Sequence, residues 1–363
     1  MTDVAGLPAP MTERPGPIGW ARKNLFASWG NALITIICLY VIWRAVPPFI
    51  EWALVNAVWR PDPEACRAAA GIGACWGIIV EKWRLIFFGT YPFDQQWRPA
   101  LMVAVLLVLI AISMVPAFWR RWLGFAWLAG LLAMGVLMWG GVLGLPFVAT
   151  DQWGGLPLTL ILSVNGIVFS FPIAIALALG RRSNLPVIRA MCTAFIELVR
   201  GVPLITVLFM ASLMIPLFLP QGFDINKLLR AQVAVILFSG AYLAEVVRGG
   251  LQAIPKGQFE AADSLGLSFP QKTAFIILPQ ALRLVIPPMV NSFIAGFKDT
   301  SLVIIIGLFD LLGTTRLAAN DPLWRPFYVE GLIFLALIYF VFCYTLARYS
   351  RYLETLTRRG DRR

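Results

Sequence analysis

The stretch that decides the reading is GLQAIPKGQFEAADSLGLSFPQKTAFIILP, residues 250–279. Pro255 and Pro270 bracket a proline-free segment. Proline is poorly tolerated inside a helix, so the spacing predicts a short helix over Gln258–Leu267. At 3.6 residues per turn, Phe259, Ala262, Leu265 and Gly266 share roughly one face, while Glu260 and Asp263 point elsewhere. Ala261 and Ala262 are small enough to let another protein surface come close. Gly266 can end the helix with a positive φ at no steric cost. The segment reads as a helix outside the apolar phase, built to dock into a partner's groove.

Around it the chain is too apolar for a soluble domain. Of 363 residues, 59% are hydrophobic and 13% charged, about half the charged share of a soluble globular protein. Residues 24–43, 99–119, 122–150, 152–180 and 201–223 carry no charge at all. A bilayer core of about 30 Å needs about 20 such residues as a helix. In lipid the backbone must bond to itself, so long apolar runs without alternation mean helices. The expected spans lie near 25–45, 100–118, 123–146, 157–180, 202–219, 230–249, 283–306 and 327–348. The fold class is all-α, a polytopic membrane protein with about eight transmembrane helices.

The net charge is +11, from 30 Lys and Arg against 19 Asp and Glu. Arg22, Lys23, Arg120, Arg121, Arg181, Arg182 and the tail from Arg348 to Arg363 fall on one side of this topology. That is the positive-inside bias, which places both termini in the cytoplasm and makes the lipid bilayer, not nucleic acid, the partner of the basic groups. The chain has no histidine, which removes Ser-His-Asp and Cys-His nucleophiles and His-based zinc motifs, and no metal site is expected. Cys38, Cys192 and Cys343 read as small packing residues in or beside apolar helices. Cys66 and Cys75 fall in a polar external loop, either as a disulfide in an oxidising compartment or as two thiols.

The organisation expected is a disordered cytoplasmic leader over 1–24, rich in Pro and Gly and without a signal peptide's apolar core. A three-helix region follows over 25–150, with an external loop 46–99 in which Val80–Phe88 reads as an interfacial helix. Residues 151–350 form a five-helix core with a cytoplasmic loop 250–283, and 351–363 form a basic tail. Glu197 with Arg200 and Glu245 with Arg248 each stand at i, i+3, where a local ion pair can form.

Glu260-Ala261-Ala262, three residues, Gly266, nine residues, Ile276, one residue, Leu278-Pro279 resembles the EAA loop of the permease subunits of ABC importers. The resemblance implies that Phe259, Glu260, Ala261, Ala262, Gly266 and Pro279 contact a separate ATP-binding subunit. Gly240–Glu245, Arg248-Gly249, Ile254–Gln258, Thr159 with Ser163, Arg200–Leu204 and Lys298–Leu302 are similar to the polar amino-acid branch of that family. The three extra spans and Cys-containing loop before residue 150 resemble the longer general L-amino-acid permeases for glutamate, glutamine and aspartate. The resemblance covers about 155–350. It implies import of L-amino acids by alternating access, with a periplasmic amino-acid-binding protein, a second permease subunit and the bacterial inner membrane as its setting. The sequence has no Gly-Lys dipeptide and so no phosphate-binding loop of the Gly-x-x-x-x-Gly-Lys type. This chain is expected to be no enzyme and to bind no cofactor, with ATP and Mg on the partner.

Polar groups at membrane depth cost several kcal/mol unless paired or facing water. Lys298-Asp299-Thr300-Ser301 interrupts the seventh span, between Gly296 and Gly307 and beyond Pro287-Pro288. A broken helix there suits a zwitterion. Asn291, Ser292, Lys298, Asp299, Thr300 and Ser301 are therefore the candidate pathway residues, the alternative being a Lys–Asp pair that fixes packing. Asn165 is a further candidate, or a helix–helix hydrogen bond. Three other readings compete: an ion- or proton-coupled secondary transporter, which calls for inverted repeats and embedded carboxylates, an ABC permease for another solute, and a lipid-modifying enzyme.

Overall fold

The computed structural model describes residues 16–220, 222 and 225–360, with side chains through Leu356. Among the described residues seven helices are long and apolar enough to cross a membrane, and a bent pair brings the number to as many as eight. The chain divides into two compact units, one ending at Gly77 and the other beginning at Ile78.

In the first unit, α1 spans Pro17–Asn24, with proline in its first turn and Arg22 and Lys23 in its last. This corrects the expectation of a disordered leader for the part after residue 16. Proline presets the first turn and the two cations complement the helix dipole, which outweighs the composition of the segment. Residues 1–15 of the leader lie outside the described residues. α2 (Trp29–Ile50) starts where the Ser28 hydroxyl accepts the Asn31 N–H, and it runs through Pro47 and Pro48 into a π turn at Glu51–Val55. The span is longer than its charge-free run suggested, because Arg44 does not end it. After it, α3 (Pro63–Ala68) is capped by Asp62. Cys66 and Cys75 are joined as a disulfide with Cα atoms 5.4 Å apart, both sulfurs' residues buried. The Trp76 indole donates to the Ala53 carbonyl and packs with Trp52 and Trp59, so the segment after α2 is a stapled cap, not an open loop.

The second unit begins on α4 (Gly77–Phe88), then α5 (Trp97–Ser113) and α6 (Arg121–Trp139), an antiparallel pair. Arg98 is fully buried, its Nε and Nη1 donating to the carbonyls of Leu137 and Pro146 at 2.7 and 2.9 Å. It thus closes the C-terminal end of α6, where carbonyls have no partner within the helix. α7 (Gly155–Arg181) follows, and α5 packs on it as well as on α6. Two of the three N-terminal spans therefore belong to the same compact unit as the core, a division that differs from a boundary near residue 150. The reason is tertiary: Tyr349 donates to the Ser113 carbonyl across 236 residues, and the Trp127 indole donates to the Ser113 hydroxyl.

α8 (Pro186–Arg200) is amphipathic, with Ile196 and Val199 buried, and turns by 103° into α9 (Leu204–Phe209), a π turn (Met210–Met214) and α10 (Ile215–Phe218). The segment 181–200, expected as an inside connection, is thus mostly helical. The expected span 202–219 is the second arm of this bent pair. Gly201 and Pro203 supply the corner, since proline has no N–H to continue a helix. α11 (Lys227–Ala253) is the main partner of α7. Then come α12 (Lys256–Ser264), α13 (Phe269–Lys272), a π turn (Thr273–Ile277) and α14 (Leu278–Leu284). α15 (Ile286–Asp299) passes into a 3₁₀ segment, Thr300–Ile306, that ends on left-handed Gly307. The two-residue strand β1 (Phe309–Asp310) bridges to Gly154 and Gly155. α16 (Leu311–Ala319) and the long α17 (Tyr328–Gly360) complete the unit. The tail expected after residue 350 continues α17 to Gly360, and 361–363 lie outside the described residues.

At one end of the bundle α4 meets α16 and the start of α7. Thr314 donates to the Ile86 carbonyl at 2.7 Å, and Lys82 pairs with Asp321 at 2.8 Å. Gly155 has φ +66°, and a Cβ there would collide with the Phe87 carbonyl, so only glycine allows this approach. The opposite end carries α12 to α14.

Candidate functional site

Four segments enclose a cavity of about 400 Å³ near mid-span. α7 contributes Ser163, Gly166 and Ser170, α11 contributes Ser239 and Tyr242, and α15 contributes Ser292, Gly296 and Asp299. The corner after α8 adds Pro203 and Leu204. Ser163 stands eight residues into α7, about 12 Å along the axis at 1.5 Å per residue. The volume falls in the range of about 300–1,000 Å³ typical of small-molecule sites.

The charge of the lining is one-sided. The hydroxyls of Ser163, Ser170 and Ser292 donate to carbonyls of their own helices, Thr159, Ile167 and Pro288, at 2.8–3.1 Å. Their protons are spent, so they offer lone pairs. Asp299 is the charged residue of the lining, and no lysine or arginine shares the wall.

The structure sorts the candidate pathway residues. Ser292 and Asp299 line the cavity. Asn291 and Lys298 lie on the exposed side of α15, Thr300 is buried with its hydroxyl donating to the Phe297 carbonyl, and Ser301 is half-buried. Lys298 and Asp299 form no ion pair with each other, because neighbours on a helix diverge by about 100°. Asn165 faces a different groove, with Trp127 and Gln232, and its Oδ1 is buried without a hydrogen bond. Ser170, Ser239 and Tyr242 were not singled out from sequence. The signal was present as small or polar residues at i, i+3 or i+4, and i+7 on one face: 163, 166 and 170 on α7, and 292, 296 and 299 on α15.

Between this cavity and the bundle end lies an ion cluster. Glu245 on α11 binds Arg181 of α7 at 2.7 Å and Arg248 at 2.7 Å, with Arg200 of α8 at 3.8 Å. Arg181 also holds Glu197 at 2.7 Å. The local pair expected for Glu245 and Arg248 forms, whereas Glu197 and Arg200 each reach to another helix instead. The Arg200 guanidinium also covers the ring of Tyr242, one of the cavity residues, at 5.5 Å.

The 250–283 hairpin leaves directly from α11. α12 begins at Lys256, two residues before the expected start, because Pro255 serves as its cap. Gly266 has φ +70°, and the space around its missing Cβ is open. The expected outward apolar face is corrected by burial. Ala262 is buried, and Phe259 is half-buried against the apolar cluster that includes Ile254 and Ile277, under the Arg182 guanidinium, 5.9 Å from its ring. These two residues hold the helix to its own bundle. Glu260, Ala261, Leu265, Gly266 and Pro279 are exposed. Leu265, Phe269 and Phe275, at 66–76% exposure, supply the apolar surface instead. Lys272 pairs with Asp263, and Gln280 donates to Gln258, so the hairpin is braced as a unit.

Residues 166–359 match the family model for the inner membrane component of binding-protein-dependent transport systems. The chain is 51% identical over 343 residues to the inner membrane amino-acid ABC transporter permease protein YhdY of Escherichia coli K12, covering 92% of this chain and 91% of that protein. It is 38% identical to the glutamate/glutamine/aspartate/asparagine transport system permease protein BztC of Rhodobacter capsulatus, covering 99% and 98%. Among solved structures, an amino acid ABC transporter crystallised with histidines matches 56% of this chain and 92% of its own, at 31% identity and a TM-score of 0.49.

Proposed function

This chain belongs to the inner membrane components of binding-protein-dependent transport systems, the permease subunits of ABC importers, and on that premise we propose that it moves polar L-amino acids through the cavity at Asp299. One observation carries the proposal. Four stretches far apart in sequence, around Ser163, Arg200–Leu204, Gly240–Glu245 and Lys298–Leu302, converge on one largely apolar cavity that carries a few polar groups, Asp299 among them, at mid-span. A carboxylate at that depth is costly unless it is paired or faces a water-filled path, and Asp299 makes no ion pair among the described residues. The names of the two full-length relatives support an amino-acid substrate for this chain.

The energy comes from a separate ATP-binding subunit, which holds ATP and Mg and receives the exposed Leu265, Gly266 and Phe269 of the hairpin. Closure of that subunit moves α12. The movement passes along α11 directly and through Arg182 on Phe259 to the end of α7, where the Arg181–Glu245–Arg248 cluster ties the helix ends together. A rigid helix locked in a groove transmits displacement without chemistry of its own. The opposite bundle end, formed by α4, α16 and the start of α7, receives the substrate-binding protein. The basic groups and the hairpin then face the cytoplasm with both termini, and the Cys66–Cys75 staple stands on the oxidising side. Asn291 and Lys298, exposed on a spanning helix, face a second permease subunit or the aqueous path between the two.

ATP-dependent uptake of labelled glutamine and glutamate into proteoliposomes carrying the whole complex tests the proposal. Accumulation that requires ATP and the binding protein is expected. Uptake driven instead by a proton or sodium gradient, with no need of ATP, would replace it by a secondary transporter.

A further inference from the structure

The lining of the cavity carries a charge preference. Its charged group is a carboxylate, Asp299, and three of its hydroxyls, on Ser163, Ser170 and Ser292, have given their protons to helix carbonyls at 2.8–3.1 Å. The wall is thus largely apolar, with one negative charge, three hydroxyls that offer lone pairs, and the Ser239 and Tyr242 hydroxyls beside them. Nearby cations do not line the cavity: Lys298 is exposed on α15, and Arg181, Arg200 and Arg248 are engaged by Glu197 and Glu245 at the bundle end. With Asp299 as its one charged group, such a wall complements an ammonium group. It repels an additional carboxylate.

We propose that Asp299 is the specificity-determining residue of the cavity, holding the substrate's ammonium group so that neutral and cationic amino acids are favoured over glutamate and aspartate. This rests on the cavity being the amino-acid path. It separates amides from acids, which the name of the Rhodobacter relative joins. An extra carboxylate brought within about 6 Å of Asp299 in a partly hydrated site is disfavoured about tenfold to a hundredfold. Asp299 stands where α15 changes to 3₁₀ winding, so a small turn of the Thr300–Ile306 segment alters what the carboxylate reaches.

The test is equilibrium binding of tritiated glutamine to the detergent-purified complex of this chain with its ATP-binding subunit, without the binding protein. Unlabelled glutamine, lysine and glutamate serve as competitors. In the native complex glutamate is expected to compete at least about tenfold more weakly than glutamine or lysine. Asp299→Asn is expected to weaken glutamine and bring glutamate to within about twofold of it. Glu197→Gln, outside the lining, is expected to leave the ratio as it is. Glutamate competing as well as glutamine in the native complex would overturn the inference while leaving the amino-acid reading intact. So would an Asp299→Asn complex that binds glutamine with an unchanged ratio. Binding of no amino acid by the native complex overturns both. If Asp299→Asn does not assemble, the competition series on the native complex decides alone.

Discussion

Glu245→Gln removes one charge and almost no volume from the junction between the cavity and the docking hairpin. The native carboxylate takes hydrogen bonds from Arg181 and Arg248 at 2.7 Å each, with Arg200 at 3.8 Å. A hydrogen bond to a charged partner contributes about 1.5–3 kcal/mol, so the two short ones are worth about 3–6 kcal/mol gross. The arginine side chains are 22–35% exposed, and water recovers part of that when the charge is lost. The expected net loss is about 2–3 kcal/mol. It should appear as a fall of several degrees in the thermal unfolding midpoint of the detergent-solubilised protein. It should also raise the number of ATP molecules hydrolysed per amino acid moved, because α7, α8 and α11 would no longer shift together. Glu197→Gln is the internal control. Its carboxylate is 56% exposed and bonds only Arg181, so about 0–1 kcal/mol is expected. The reasoning is refuted if Glu245→Gln unfolds within a degree of the native protein, or if the two variants fall equally.

Asp310 gives a pH dependence. Burial pushes its carboxyl up to about 6, against the stabilising N–H bonds from Gly313 and Leu312 and the Tyr339 hydroxyl. A buried acid whose folded pKa lies above its unfolded value contributes stability at low pH that is lost as pH rises from about 4 through about 6, near 3 kcal/mol in all. Asp310→Asn, which can keep the cap on Gly313, should flatten that part of the stability–pH curve, as followed by thermal unfolding. Cys66→Ser opens a loop of nine-residue separation and should cost about 2–3 kcal/mol in the first unit, read as faster proteolysis there. In the native chain a maleimide should label Cys66 and Cys75 only after reduction. Arg98→Ala leaves the Pro146 carbonyl without its donor in a buried site and opens a cavity, so a loss of about 3–5 kcal/mol in thermal unfolding is expected.

The hairpin was legible because its signal is local. Two prolines, two alanines and a glycine within thirty residues fix a short helix and its stop. Which face it shows was not legible. Periodicity groups Phe259 with Leu265, but the bundle's own apolar cluster partly covers the first and leaves the second out. Five of the spans were readable from charge-free runs, that over 202–219 among them, but the bend before it was not. There the corner at Gly201–Pro203 joins the amphipathic α8, which carries Arg189, Glu197 and Arg200, to an apolar arm at 103°. The cavity could be anticipated only in part, because its walls come from four segments and the useful mark is a spacing of small polar residues, not any single motif. Polar residues inside one span look alike in sequence whether they face a cavity, as Asp299 does, or leave the bundle, as Lys298 does. A one-residue step along the helix decides it.

The central claim is that the hairpin carries the work of an ATP-binding subunit into the bundle. Its most direct measurement is co-purification of that subunit with the native chain and with Gly266→Asp, extracted gently from the native membrane. Gly266 is exposed with open space around it, so the side chain harms the docking surface and not the spans. The account predicts that the native chain brings down an ATP-binding protein and that the variant, expressed and folded to the same level, loses most of it. Retention of the same subunit in the same amount by Gly266→Asp, or its absence from the native preparation, would contradict the account.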